Sequence, residues 1–366
     1  MKTRMNIGNK SRTNRRLAGL WGAACVVATV AMVWTSPASA RKLYVISSNP
    51  TYSDIAKRVG GRLVRVTYIT KGDQDPHFVR PKPSFAVHLS KADAFVVTGL
   101  DLELWAPRLI DKSMNGNIRQ GQRGYIAVYS GMKLLEIPTS RSRASGGVHM
   151  FGNPHVYTGP MNAKVIAKNI AIGLCKVSAG NCAAFKKGYR RFARQIDVRM
   201  FGKKILKLLG SGTLTRLTVS GKLVPFLKKR KYRGKPLVDM LGGWAKKALP
   251  LWGQKLVTYH KNWIYFTKTF GLDVIQEVEP KPAIPPSPKS IRRLINTMSR
   301  QKIKVILAAN FYDESKVRKV CKRVGAQSVI VAFSVHGKRG INSYFQLTSH
   351  WIKSLLAAYK RVGAIK

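Results

Sequence analysis

Two parts of the chain alternate strand-like and helix-like hydrophobic patterns. Residues 42–48 form a short β-rich run, residues 50–59 repeat with helical spacing until Gly60-Gly61 ends them, and residues 63–69 alternate as a strand. A helix over 84–91 and an apolar strand over 94–99 follow, and helical spacing returns at 161–174. In the C-terminal part, strand patterns at 255–259, 274–278, 305–309 and 329–333 interleave with helical ones at 263–270, 289–299, 314–324 and 344–359. Strands that alternate with helices predict α/β lobes with mainly parallel sheets. Between the two parts, residues 182–209 read as one long helix rich in Lys and Arg. A basic insertion follows, with amphipathic patterns at 214–227 and 236–249 around Lys228-Lys229-Arg230-Lys231-Tyr232-Arg233. The expected organisation is an N-terminal lobe at 41–181, a linking helix at 182–209, an insertion at 210–252 and a C-terminal lobe at 253–366. The insertion is expected to pack on the surface, with covering a cleft or contacting a partner as alternatives.

Ligands of parallel sheets gather at the carboxyl ends of the strands, and three histidines have such settings. His77 lies in Gly72-Asp73-Gln74-Asp75-Pro76-His77, just after a predicted strand. His155 lies in Gly152-Asn153-Pro154-His155, where the proline restricts its own backbone and that of Asn153. His260 ends the apolar run that starts at Lys255. Each alone reads equally well as a structural or solvated imidazole. Together they suggest one metal site assembled by the fold. His88 and His350 sit on helical patterns and read as structural. Glu279 and Asp313 follow predicted strands, but nothing in the sequence places them at a working distance for acid–base catalysis. There is no Gly-rich phosphate loop and no Ser/His/Asp elbow.

The N-terminus changes the compartment. Residues 1–16 carry six Lys or Arg and no acid, residues 17–34 are apolar, and Ser36-Pro37-Ala38-Ser39-Ala40 supplies a small-residue cleavage site. Residues 1–40 read as a signal peptide cut after Ala40, with an uncleaved anchor as the alternative. The mature chain is then exported and periplasmic. Cys175 and Cys182 flank a six-residue turn and are candidates for a local disulfide, which would leave Cys321 as a thiol.

The charge is extreme: 66 Lys and Arg against 15 Asp and Glu, net +51 in 366 residues. A balance of this kind attracts nucleic acid, anionic lipid and other polyanions. The basic residues are scattered, however, and no helix-turn-helix, RRM or zinc-finger pattern organises them. The densest runs, 186–199, 228–235 and 316–323, read as solvated faces. The shortage of acids would suit an acidic exterior. Apolar residues make up 45%, enough to build a sizeable core.

The motifs in order are Gly72-Asp73-Gln74-Asp75-Pro76-His77-Phe78-Val79-Arg80-Pro81, Thr98-Gly99-Leu100-Asp101, Gly152-Asn153-Pro154-His155, Val257-Thr258-Tyr259-His260, the Pro-rich stretch from Glu279, and Asn310-Phe311-Tyr312-Asp313. The chain resembles the zinc/manganese-type periplasmic substrate-binding proteins of bacterial metal ABC importers over nearly all of its mature length. The resemblance implies two similar α/β lobes joined by one long helix, with restricted hinge motion. It implies a receptor, not an enzyme, that captures a divalent metal between the lobes and delivers it to an ABC permease in the inner membrane. A monomer is expected. By the same resemblance His77 and His155 are first-lobe ligands and His260 a second-lobe ligand. Three imidazoles suit zinc better than a carboxylate-rich manganese site would, although manganese or another divalent metal fits the family. Affinity should fall with pH through the histidine range.

Two departures stand out. Tyr157 and Gly159 replace a tryptophan and an aspartate of the family motif, which removes an acidic partner. The family's aspartate after the last strand is also missing, since residues 329–345 hold no acid. The fourth ligand is therefore water or one of Asp313, His336 and His149. His149 reads as a solvated loop residue. A metal-free, polyanion-binding or envelope-associated protein on the same fold is the alternative function, and a zinc hydrolase would need a general base that the sequence does not offer.

Overall fold

The computed structural model describes residues 41–138, 149–279 and 286–366, and the leader lies outside them. The first half builds a four-stranded sheet from β1 (Leu43–Ser47), β2 (Val64–Tyr68), β3 (Ala94–Val97) and β4 (Tyr125–Ala127). Its order is β2-β1-β3-β4, and every pairing is parallel. Helices α1 (Pro50–Gly60), α2 (Pro83–Ser90) and α3 (Ala106–Ser113) connect these strands. β3 is buried throughout, whereas β2 at the edge is mostly exposed or half-buried. A strand covered on both faces reads as a continuous apolar run. The Asn49 side chain accepts from the backbone N–H groups of Thr51 and Tyr52, and Pro50 follows it at the first helical position, which fixes where α1 starts.

α4 (Pro160–Val177) and α5 (Cys182–Phe201) follow, tied by the Cys175–Cys182 disulfide. α5 packs so closely on α1 that a Cβ at Gly188 would stand 2.0 Å from the Val59 carbonyl oxygen. Gly188→Ala is therefore expected to cost about 1–3 kcal/mol through forced displacement of the two helices. Urea denaturation of the metal-free protein would measure the loss.

The single helix expected over 182–209 is two. Gly202 adopts φ 80°, and its chain crosses Gly242 so closely that a Cβ would meet the Gly242 Cα at 2.7 Å. α6 (Lys203–Val219) starts afresh and is itself broken at Gly210, with φ 72°. The periodic pattern carries across both glycines, but their backbones do not. Lys164 Nζ on α4 donates to Asp197 of α5 and to Ser211 and Thr215 of α6, clamping the three helices around the break.

In the insertion, α7 (Leu223–Lys229), a small hairpin of β5 (Lys231–Tyr232) and β6 (Lys235–Pro236), and α8 (Gly243–Lys247) succeed one another. Leu214, Leu223, Leu227, Trp244 and Leu251 are buried in the main core, while the hairpin's basic tip stays exposed. The insertion is thus packed in as part of the fold.

The second sheet contains β7 (Lys255–Thr258), β8 (Asp273–Glu277), β9 (Val305–Ala309) and β10 (Gln327–Val331), again all parallel, in the order β10-β9-β7-β8. Read from its own first strand, this is the topology of the first sheet. The chain is α/β with two similar parallel-sheet lobes. Helices α9 (Ile264–Phe270), α10 (Pro288–Arg300), α11 (Glu314–Val324) and α12 (Tyr344–Arg361) complete it. Ser287 caps α10 and Pro288 occupies its first position.

The two halves meet through specific contacts. Thr51 Oγ1 lies 2.8 Å from Ser334 Oγ, Tyr344 N donates to Asp54 Oδ2, and Tyr344 Oη donates to the Tyr157 carbonyl. The backbone at Gly72 touches that of residues 335–337, with no room for a side chain. Edge-to-face aromatics Tyr157, Phe333, Trp263 and Trp351 run through the same region. Among the described residues no helix is long and apolar enough to cross a membrane.

Candidate metal centre

Both sheets deliver their strand ends to one place. His77 follows β2 in a loop and His155 comes from the turn beyond β4, both in the first half, while His260 follows β7 in the second. The turn that holds His155 depends on Gly152, at φ 109°, and on Asn153, whose backbone carbonyl accepts from Tyr265 Oη of the other half. The candidate ligand nitrogens of His77, His149 and His155 lie within 4.8 Å of one another. His77 Nε2 and His149 Nε2 are 3.2 Å apart, close to the roughly 3.3 Å edge of a tetrahedron around a metal with 2.0–2.1 Å bonds to nitrogen. His260 stands outside that set, yet its charge would be felt at both His149 and His155.

The hydrogen bonds fix the tautomers. His77 Nδ1 donates to Asp75 Oδ1 at 2.6 Å, and His260 Nδ1 donates to the Glu279 carbonyl at 2.6 Å. For His155 the partner is Asn153 Oδ1, 3.0 Å from Nδ1. The Asn153 amide cannot be turned round, because its Nδ2 already donates to Glu136 Oε2 and to the Lys261 carbonyl. With Nδ1 protonated, each of the three rings must present a bare Nε2 lone pair. The Nε2 atoms of His155 and His260 are buried and have no hydrogen-bond partner, and the same is true of His149 Nδ1. A buried polar atom left unpaired costs about 1–3 kcal/mol, so several at one point mark a place built for a ligand.

The electrostatics agree. Burial, followed by the charges of neighbouring histidines, lowers His149 to about 3 and holds His155 well below the ordinary imidazole value. Burial lowers His260 to about 4, against a smaller upward pull from its bond to Glu279. Neutral imidazole is the form that binds metal. Phe333 closes one side, its ring 5.6 Å from that of His155, and Tyr312 stands 6.5 Å from His260.

Two of the candidates for a fourth ligand have other roles. Asp313 is half-exposed and caps α11 by accepting from Lys316 N. It also lines a cavity of about 520 Å³ together with Asp75, Glu279 and Tyr312. His336 is exposed at φ 62° and stacks on Tyr68. His149, read from sequence as solvated, is instead half-buried against His77 and His155. Its Gly-rich setting gives no sign of this, because only the fold brings His149 beside His77 and His155. His88 is satisfied by Tyr44 Oη at 2.8 Å. The sequence reading passed over Asp75 and Asn153, although both stand two residues before a histidine. They supply the Nδ1 acceptors of His77 and His155.

A family model described as zinc-uptake complex component A, periplasmic (ZnuA), matches residues 45–199 and 239–358. The chain belongs to this family. The unmatched stretch between holds α6, α7 and the hairpin. The ZnuA-family chain is 22% identical over 317 residues to the manganese ABC transporter substrate-binding lipoprotein PsaA of Streptococcus mitis, covering 86% of this chain and 88% of that one. It is 20% identical to the iron-binding protein YfeA of Yersinia pestis, over 91% of this chain and 92% of that one. Among solved structures, a zinc-bound ZnuA deletion mutant superposes with TM-score 0.63 at 19% identity, covering 87% of this chain and 98% of that one. A manganese-bound periplasmic metal binding protein from Candidatus Liberibacter asiaticus does so with TM-score 0.60 at 19% identity, covering 86% and 99%.

Proposed function

We propose that this protein is the extracytoplasmic receptor of a metal ABC importer. It captures one divalent transition metal between its lobes on His77, His155 and His260, with His149 as the fourth ligand, and delivers it to the permease. What carries the reading is the convergence of His77, His149 and His155, with the Nδ1 atoms of His77, His155 and His260 engaged and one buried ring nitrogen each of His149, His155 and His260 left without a partner. Zinc is the metal of choice for four neutral imidazoles, since it accepts a tetrahedral nitrogen set. The relatives named for manganese and iron make those ions the competitors to test. The metal is cargo, and among the described residues the carboxylate that touches a site histidine, Asp75, already accepts from His77 Nδ1, which supports a carrier over a hydrolase.

The test is a zinc, manganese and iron titration of the mature chain from Arg41 at neutral pH. One equivalent of zinc, held more tightly than the others, is expected. His149→Ala should weaken it about 10–100-fold, less than loss of a fully buried ligand, because water can replace a half-buried one. A site indifferent to His149 would make water the fourth ligand. No stoichiometric metal, or binding indifferent to His77, His155 and His260, would overturn the receptor reading.

A further inference from the structure

A second concavity, of about 450 Å³, opens between the end of α5, the loop after β10 and α12. Arg199, Lys338, Arg339 and Lys353 line it, and no carboxylate does. In so basic a chain unpaired cations are common, so the cluster alone would mean little. The arrangement around it says more. The Arg199 guanidinium lies 4.1 Å over the ring of Phe345, which is buried and stacked on Phe192, so one cation is held in place before any ligand arrives. The loop that carries Lys338 and Arg339 is closed on itself by His336 N donating to the Ile341 carbonyl and Ile341 N donating to the Lys338 carbonyl. Asn310 Nδ2 anchors its Gly337 carbonyl at 2.7 Å.

The neutral groups lining the concavity are turned the same way. Gln346 Oε1 is used up in accepting from Asn342 N and Ser343 Oγ, which leaves its amide NH₂ to donate. Ser349 Oγ accepts from Trp244 Nε1, which leaves its hydroxyl proton free. His350 Nε2 is buried without a partner. Burial, and after it the charges of Lys338 and Lys353, lower the His350 pKa. A basin that offers one guanidinium held over Phe345, together with further guanidinium, ammonium, amide and hydroxyl donors and no lining carboxylate, matches the surface of a multiply charged oxyanion.

We propose that this basin is a binding site for a phosphate-type oxyanion, separate from the histidine centre. The anion is either free in solution or carried on a phospholipid headgroup, and the two share the chemistry that Arg199, Lys338 and Arg339 recognise.

The experiment uses the mature chain at physiological ionic strength. Inorganic pyrophosphate is titrated by calorimetry, and vesicles containing phosphatidylglycerol are tested by co-sedimentation. The test variant is Lys338→Gln with Arg339→Gln, on an exposed loop where folding should be unaffected. The control is Lys228→Gln with Lys229→Gln, which removes the same charge from the insertion. Saturable binding of one pyrophosphate, weakened about tenfold or more by the test variant and less than about twofold by the control, is expected. If vesicles also bind with this dependence and pyrophosphate displaces them, the headgroup is the source. If vesicles bind no better than neutral ones, the free anion is. Equal weakening by test and control variants, or no saturable pyrophosphate binding, would reduce the basin to general attraction by net charge and overturn the proposal.

Discussion

His155→Ala is expected to weaken zinc binding about 100- to 1,000-fold. A tetrahedral zinc site in a small domain is worth roughly 10–16 kcal/mol, so one of four ligands carries about 2.5–4 kcal/mol, and each 1.4 kcal/mol is a factor of ten. His155 sits at the upper end of that range because it is fully buried and no water can easily take its place. Its ring also packs against those of His77 and His149, 5.1 Å and 5.5 Å away, so the variant removes a contact that holds both of them. His260→Ala is expected to do comparable harm for a different reason, since it removes the ligand of the second half. Competition with a zinc-responsive chelator would read both. Because removing a buried ring also leaves a cavity, the thermal midpoints of the metal-free variants belong beside the affinities. A loss below tenfold for either variant, in a protein that remains folded, would place the metal elsewhere.

Much of this centre was legible in the sequence because its parts are local. Pro76-His77 and Asn153-Pro154-His155 are turns whose backbone is restricted by proline, and their histidines follow strand ends in the folded chain. The parallel sheets were legible for a related reason, since β3 and β9 are buried strands that read as unbroken apolar runs. The rest depended on long-range contacts. His149 and His77 are neighbours across 72 residues of sequence, which no local pattern records. Asp313, one possible fourth ligand by its place after β9, stands at the N-cap of α11, where its side chain accepts from Lys316 N. The supposed long helix failed at Gly202 and Gly210, where hydrophobic spacing continues through a backbone that does not. The role of Asn153 was hidden by its other one: the residue that starts a turn also orients the imidazole two positions on and grips the Lys261 carbonyl of the second half.

This double duty of Asn153 bears on motion. One amide side chain orients the His155 ring and holds the backbone next to His260. Tyr265 holds the Asn153 carbonyl, and the Thr51–Ser334 and Asp54–Tyr344 contacts lie elsewhere along the same junction. With the core continuous across both halves, wide opening would have to break buried hydrogen bonds together. Metal entry and release are therefore expected to involve local movement at His77 and His149, which are less buried than His155.

Lowering the pH from 7 to 4 is expected to destabilise the metal-free protein by several kcal/mol. The sign follows from which form each state prefers. In the unfolded chain these imidazoles titrate near 6.5, whereas folding lowers His260 to about 4 and His149 to about 3 and holds His155 well below its ordinary value. Between the two values the unfolded state binds more protons, so stability rises with pH there. The contribution is fully present above about pH 6.5 and is lost as pH falls towards the folded values. For His260, which is almost wholly buried, the shift corresponds to on the order of 3 kcal/mol. The histidines repel one another once charged, so their contributions do not simply add. Urea unfolding midpoints at several pH values would trace the curve, and His260→Gln should flatten it. The same burial changes the expectation for metal: protons compete for these three rings only well below the ordinary histidine range, so most of the zinc should remain bound at about pH 5 and leave nearer the folded values. A metal-free stability that is flat from pH 7 to 4 would mean that these histidines are not held buried and neutral, and the site would lose the feature that makes it ready for a metal.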